Sequence, residues 1–352
     1  MSAGAGATGA LGAVALTLEL VRAGDVVEVL DAEAILRTLD AEGAIGRMPF
    51  MPEMLKHCGQ RFRVSKVAHK TCDVAYKTGG RWVDDCYHLE NLRCDGSAHG
   101  GCQATCMLFW KGSWLRKVGE GEGRSESVAP PAPETLERLI STTRLAVSAG
   151  AAVRYSCQTT RLFEATRPLR WWDPRQYVRD LTSGNVAFGD FVRVLFLSWL
   201  RALTRMGFAY RLTYGLYQRA HRALTGSPAP VADGLLPKGA ATPTARLDLK
   251  PGEAVLVKSA LEIRKTLNSN NKNRGLWFDL EYVPFCGSER RVSHRVERIL
   301  DERSGEMLEM KHPCIVLEGV QCEARYSVHR LFCPRAITAY WREAWLERPG
   351  KP

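Results

Sequence analysis

The residues best able to do chemistry in this chain are its 11 cysteines, and they are not spread evenly. One group runs Cys94-x7-Cys102-x3-Cys106, inside the turn-rich stretch Cys94-Asp95-Gly96-Ser97-Ala98-His99-Gly100-Gly101-Cys102. Small residues there let the backbone fold back and bring three thiolates to one point. Cys72, in Lys70-Thr71-Cys72-Asp73, is the expected fourth ligand, with Cys86 or His99 as rival choices. A second group runs Cys314-x7-Cys322-x6-His329-x3-Cys333, three thiolates and an imidazole. Four thiolates, or three with one imidazole, are what structural Zn2+ takes in a closed tetrahedral site. Two Zn2+ sites are therefore expected, with iron–sulfur clusters as the alternative, since thiolates hold them and His replaces Cys in some.

The remaining candidates point to structure. Cys58 and Cys286 each precede a Gly and read as buried structural thiols. His57 stands beside Cys58, but neighbours on an extended chain face opposite ways, which does not make a Cys/His nucleophile. Glu53 and Glu281 recur as lone carboxylates, and Cys157 reads as core. No phosphate loop, zincin helix, nucleophile elbow or dinucleotide fingerprint occurs at usable spacing, so no catalytic residue is assigned and enzymatic activity stays open.

The elements that position these thiols come in two copies. Gly24-Asp25-Val26-Val27-Glu28-Val29 matches Gly252-Glu253-Ala254-Val255-Leu256-Val257 at a shift of 252 − 24 = 228 positions. The same shift carries Ile35, Phe50, Glu53, Cys58-Gly59, Arg63-Val64-Ser65, Cys86, Leu89-Glu90 and Cys94 onto Ile263, Phe278, Glu281, Cys286-Gly287, Arg291-Val292-Ser293, Cys314, Leu317-Glu318 and Cys322. After an insertion, Trp110, Trp114 and Leu115 fall on Trp341, Trp345 and Leu346. An alignment that keeps the x3 pair sets His329 opposite Cys102 and Cys333 opposite Cys106. The rival register sets Cys333 opposite Cys102. Each copy predicts an alternating strand after its Gly and a short helix (Ala32–Leu39 and Ala260–Leu267), with strand character at Arg61–Lys66 and Val83–Leu89. The fold class expected is α+β: two small SH3-like β-barrel modules with Cys-rich metal loops, separated by a helical domain.

The divisions that follow are a tail (1–21), a first module (22–118), a linker (119–134), a helical middle (135–224), a second linker (225–251) and a second module (252–348). In the middle, Val192, Leu195, Phe196, Trp199, Leu203, Met206 and Tyr210 recur on one helix face, expected to pack onto the modules. Peripheral membrane contact through 192–211 is the alternative, because arginines flank that stripe. Trp171-Trp172-Asp173-Pro174 predicts an apolar lead-in and a turn before a helix. No apolar run is long enough to span a bilayer, and the first residues lack the basic start of a secretory signal. With an odd cysteine count and no export signal, a cytoplasmic setting with reduced thiols is expected. The formal charge of +11 is dispersed, so a general basic surface is expected, with polyanion binding as the alternative.

Through Met48-Pro49-Phe50-Met51-Pro52-Glu53-Met54 to Cys58-Gly59, and again through Arg93-Cys94 to Cys102, the chain resembles an uncharacterised bacterial protein family with a duplicated Cys-rich module. That resemblance implies no established activity. The function expected first is a zinc-stabilised, non-enzymatic binding or assembly protein with a protein or peptide partner. An iron–sulfur redox protein or accessory enzyme of a biosynthetic pathway is the second reading, and nucleic-acid binding the third.

Overall fold

The computed structural model describes residues 21–119, 133–145, 150, 152–204 and 210–350. Within them the chain is mixed α+β, with helices α1 (Ala32–Leu36), α2 (Pro133–Thr142), α3 (Pro174–Thr182), α4 (Phe188–Thr204), α5 (Tyr210–Thr225) and α6 (Ala260–Arg264) beside several small antiparallel sheets. No helix among the described residues is long and apolar enough to cross a membrane. The expected tail and most of the 119–134 linker lie outside the described residues.

Two five-stranded sheets share one strand order. The first runs Trp110–Lys111, Cys86–Leu89, Arg61–Val67, Val26–Val29, Leu115–Lys117. The second runs Thr338–Trp341, Met307–Gln321, Glu289–Leu300, Ala254–Val257, Leu346–Glu347. Alternation puts Val27 and Val29, or Val255 and Val257, inward at full burial. Each sheet curls over one aromatic pair: Phe50 meets Trp114 edge-on at 5.1 Å, and Phe278 meets Trp345 at 5.3 Å. The indole N–H of each Trp donates to a threonine at the same relative place, Trp114 to Thr38 at 3.2 Å and Trp345 to Thr266 at 2.9 Å. The sheets are open, so the closed barrels expected are not found: the two edge strands of each are joined through a 3-10 turn (Gly112–Trp114, Glu343–Trp345) with no ladder between them. The short helices are capped by Asp31 and Ser259 and end at Leu36 and Arg264, earlier than the pattern predicts.

The copies diverge where the first set of thiols begins. In the second module one long hairpin, Glu289–Leu300 with Met307–Gln321, continues the sheet. In the first, the chain leaves the sheet after Val67 and makes a separate hairpin, Lys70–Asp73 with Gly79–Trp82. The expected strand over Val83–Leu89 is thereby split, with Asp85 in the left-handed region (φ 46°) at the break. Arg167–Leu169, from the middle region, pairs with Gly79–Trp82 as a third strand. A buried ion pair holds α3 against this hairpin: Lys70 Nζ donates to Asp180 at 2.6 Å, and His69 Nε2 lies 3.2 Å from the other carboxylate oxygen.

The stretch from 135 to 224 contains α2 to α5 and, between α2 and α3, the short strands Arg144–Leu145, Arg154–Tyr155 and Arg167–Leu169. Asp173 caps α3 by accepting from Arg175 N, while Trp171 and Trp172, expected as an apolar lead-in, stand exposed. The α4 stripe also differs from expectation. Val192, Phe196, Trp199 and Tyr210 are exposed, Leu195 and Leu203 half-buried, and Val194, Leu197 and Leu200 form the inward side; Met206 lies outside the described residues. The 226–250 segment is a strap without helix or strand, pinned by buried Ala229, Ala232 and Leu249 and by Glu343, which accepts from Leu247 N at 2.9 Å.

Candidate metal centre

The modules meet along their cysteine loops. Arg93 of the first donates to Gln321, Thr338 and Ala336 of the second, and Gln103 of the first accepts the N–H groups of Glu297 and Arg298. Corresponding loop bonds fix which residues are equivalent in space: Cys94 N donates to Cys106 O at 2.8 Å, and Cys322 N donates to Ile337 O at the same distance. Cys106 thus stands where Ile337 does, and Cys102 where Cys333 does. This is the rival register; the alignment of His329 with Cys102 is not the one the backbone follows.

The first group of thiols is Cys94, Cys102, Cys106 and Cys157, which together line one small cavity of about 20 Å³. Cys157 lies beyond α2 and, as the sequence predicts, belongs to the core, in the same buried cluster as Cys102. No cysteine spacing could have found it, because the chain returns to the first module only through tertiary packing. Cys94 accepts the N–H of Gly96, Cys102 that of Ala104 and Cys157 that of Thr159, each two residues on. Cys102 Sγ also accepts Leu300 N from the second module at 3.4 Å. N–H dipoles aimed at sulfur favour the thiolate and are a lever by which a protein tunes bound metal. Without a cation, burial opposes ionisation: it raises the Cys94 thiol, with Glu53, Cys106 and Cys157 adding to the effect, and pushes Cys106 up to about 12. Buried sulfurs that repel one another's charge are what a positive centre would stabilise.

On its other side Cys94 touches Glu53 Oε1 at 3.3 Å and His99 Nε2 at 3.4 Å. Both partners are buried, and Glu53 Oε2 and His99 Nδ1 have no hydrogen-bond partner. Burial raises the Glu53 carboxyl and lowers His99 to about 4. Glu53, Cys94 and His99 are also the one group of three His, Cys, Asp or Glu ligand atoms, among the described residues, lying within 4.8 Å of one another. No three thiol sulfurs of the cavity are therefore that close. Glu281, the counterpart of Glu53, instead accepts the N–H groups of Arg325 and Tyr326 at 2.9 and 2.7 Å. The recurrence of this carboxylate beside a cysteine was a signal in the sequence, visible as a repeat but not as a contact.

The second group crosses between modules. Cys72 is placed with Cys333 and Cys322 of the second copy, and not with Cys94, Cys102 and Cys106 as expected. A hydrogen bond from the Cys333 thiol holds Cys72 low against burial, with Arg335 and Arg330 assisting, while Cys333 itself is raised. Cys333 also accepts the N–H of Arg335, again two residues on. Position 72 corresponds to Leu300, so one swap occurs twice: Leu300 reaches Cys102 as Cys72 reaches Cys333. Arg335 is buried between the groups, donating to Cys72 O at 2.9 Å and to Glu302 at 2.7 Å. Burial works against its charge, but Glu302, Cys72, Cys106 and Cys333 outweigh that and raise it.

Three of the expected or rival ligands sit elsewhere. Cys314 is buried beside Val296 and Val316 and accepts from Arg342 Nη1 at 3.3 Å. His329 is exposed, its ring edge-on to Trp171 at 6.1 Å. Cys86 packs with Met48, Val83 and Phe109, and burial pushes it up to about 12. The same holds for Cys58 and Cys286, both up to about 12 through burial.

Two clefts at the junction reach the thiols. One, about 470 Å³ and largely apolar, has Ala104, Cys106, Met107, Leu300, Ile337 and Tyr340 among its walls. The other, about 460 Å³, is polar and brings Lys66, Arg93 and Arg325 near Cys322 and Cys333. No known protein family, curated protein or solved structure matches this chain.

Proposed function

We propose that the chain is a redox protein or accessory enzyme carrying iron–sulfur centres at the junction of two copies of one module, each a partial, SH3-like barrel. The observation that carries this reading is the convergence of Cys94, Cys102, Cys106 and Cys157 on the walls of one cavity. Four thiolates are the usual protein ligands of an iron–sulfur centre. The first group would be a closed centre. The second, Cys72, Cys322 and Cys333, offers three thiolates beside the polar cleft, an arrangement that leaves a coordination position for a bound molecule. The arginines at this group, Arg330 and Arg335, would offset the negative charge of a thiolate-ligated cluster and so favour its reduced state.

A second reading is a zinc-stapled assembly scaffold that presents its clefts to a protein or peptide. It is favoured by the mixed donor set of Glu53, Cys94 and His99 and by the ion-sized cavity of about 20 Å³. Anaerobic purification followed by iron, sulfide and zinc analysis separates the two. The iron–sulfur reading requires a brown protein with broad visible absorption that bleaches on reduction. Colourless protein containing zinc and no acid-labile sulfide would sink it and leave the scaffold.

A further inference from the structure

The packed helices α4 and α5 leave a set of large apolar side chains exposed. On α4, Phe188 is 71% exposed, Val192 49%, Phe196 43% and Trp199 57%. At 100° per residue these four share one arc, and Arg193 and Arg201 fall on the opposite side with buried Val194, Leu197 and Leu200. There Arg193 pairs with Asp190 and Arg201 donates to the Tyr326 carbonyl. The helix is thus apolar on both arcs, the inward one packed and the outward one bare. On α5, Tyr210 is 53% exposed, Leu212 74% and Leu216 51%. Arg211, Arg219 and Arg222 are exposed on the same helix, whose sequence contains no Asp or Glu. Four large apolar side chains left bare along one arc of α4, with Phe196 stacked on Trp199 at 6.2 Å, are uncommon on a surface that faces only water.

We propose that this helix pair is an interfacial membrane-binding element, lying on an anionic bilayer with its aromatic and leucine side chains among the acyl–headgroup boundary and its arginines on lipid phosphates. Charge decides between occupants. Exposed aromatics and leucines beside unopposed cations complement an anionic lipid surface. A second copy docked on the same patch would face these arginines with their own equivalents, because a two-fold contact is self-complementary. The helices are too short to span, so the element lies in the interface plane. The inference is independent of the metal.

The test is cosedimentation of the purified full chain with vesicles of phosphatidylglycerol and phosphatidylcholine, compared with phosphatidylcholine alone. Binding to the anionic vesicles, weakening as salt is added, is the expected result. Phe196→Ser with Trp199→Ser should lower partitioning about tenfold or more, since binding scales with buried apolar area. Arg219→Glu with Arg222→Glu should remove the preference for anionic lipid. These side chains are exposed, and circular dichroism checks folding; Leu212→Ser replaces the double variant if that one unfolds. Failure of the wild type to sediment with anionic vesicles overturns the proposal, as does unchanged partitioning of the serine variants. A dimer in analytical ultracentrifugation that Phe196→Ser dissociates overturns it in favour of a second copy.

Discussion

Cys157→Ala is the sharpest probe of the proposed first centre, because only tertiary packing brings Cys157 to the cavity of Cys94, Cys102 and Cys106. In metal-free protein the substitution removes one buried sulfur and its 3.2 Å contact with Thr159 Oγ1. That is a small truncation, and it should cost about 1–2 kcal/mol. With metal bound the expected loss is larger. If removing one of four thiolates weakens the centre about a thousandfold, the stabilisation forfeited near saturation is about 4 kcal/mol on top of the packing cost. The assay is denaturant unfolding of wild type and variant, each as isolated and after chelation, with metal content measured on the same samples. Cys286→Ala, which removes a half-buried thiol from neither group, is the control and should leave metal content unchanged. Cys157→Ala protein with full metal content and the same metal-dependent stability as wild type would refute the assignment of the four thiols to one centre.

Two other outcomes follow from the geometry. Cys72→Ser should empty the second centre and leave the first filled, although Cys72 belongs to the first module; metal content falling by about half, with the Cys157→Ala loss additive to it, checks this. His88 is fully buried, its Nδ1 bonded to the Leu108 carbonyl at 2.9 Å, and burial lowers it from 6.5 to about 4. As pH falls through that window the unfolded chain binds a proton that the folded chain excludes. Stability should therefore decline by about 3 kcal/mol from this residue, and be fully present only above pH about 6.5. The difference in unfolding midpoint between pH 7 and 4.5 should shrink in His88→Leu; an unchanged difference would assign the acid sensitivity elsewhere.

The alternating strands at Val26–Val29 and Ala254–Val257 and the short helices after them were legible in the sequence, as was the recurrence of Phe50 and Trp114 at Phe278 and Trp345, although not their contacts. They depend on local alternation and on a register that the chain states twice. Closure of the sheets was not legible, because it depends on whether edge strands find each other across a turn, which no local pattern encodes. The grouping of Cys94, Cys102 and Cys106 was legible from their spacing, and the three do line one cavity. Their partners were not. Cys157 arrives from beyond α2 and Cys72 crosses to the other copy, since the hairpin at Lys70–Asp73 leaves its own sheet and is held by α3 through Lys70 and Asp180. The α4 stripe makes the same point from the other side: periodicity marked one apolar face, but packing buried the neighbouring arc of Val194, Leu197 and Leu200 and left the marked one exposed. Sequence by itself determined which residues alternate, which recur and where the thiols are clustered along the chain. Tertiary structure decided which of them meet, because convergence of side chains far apart in the chain is a property of packing between elements and not of any one of them.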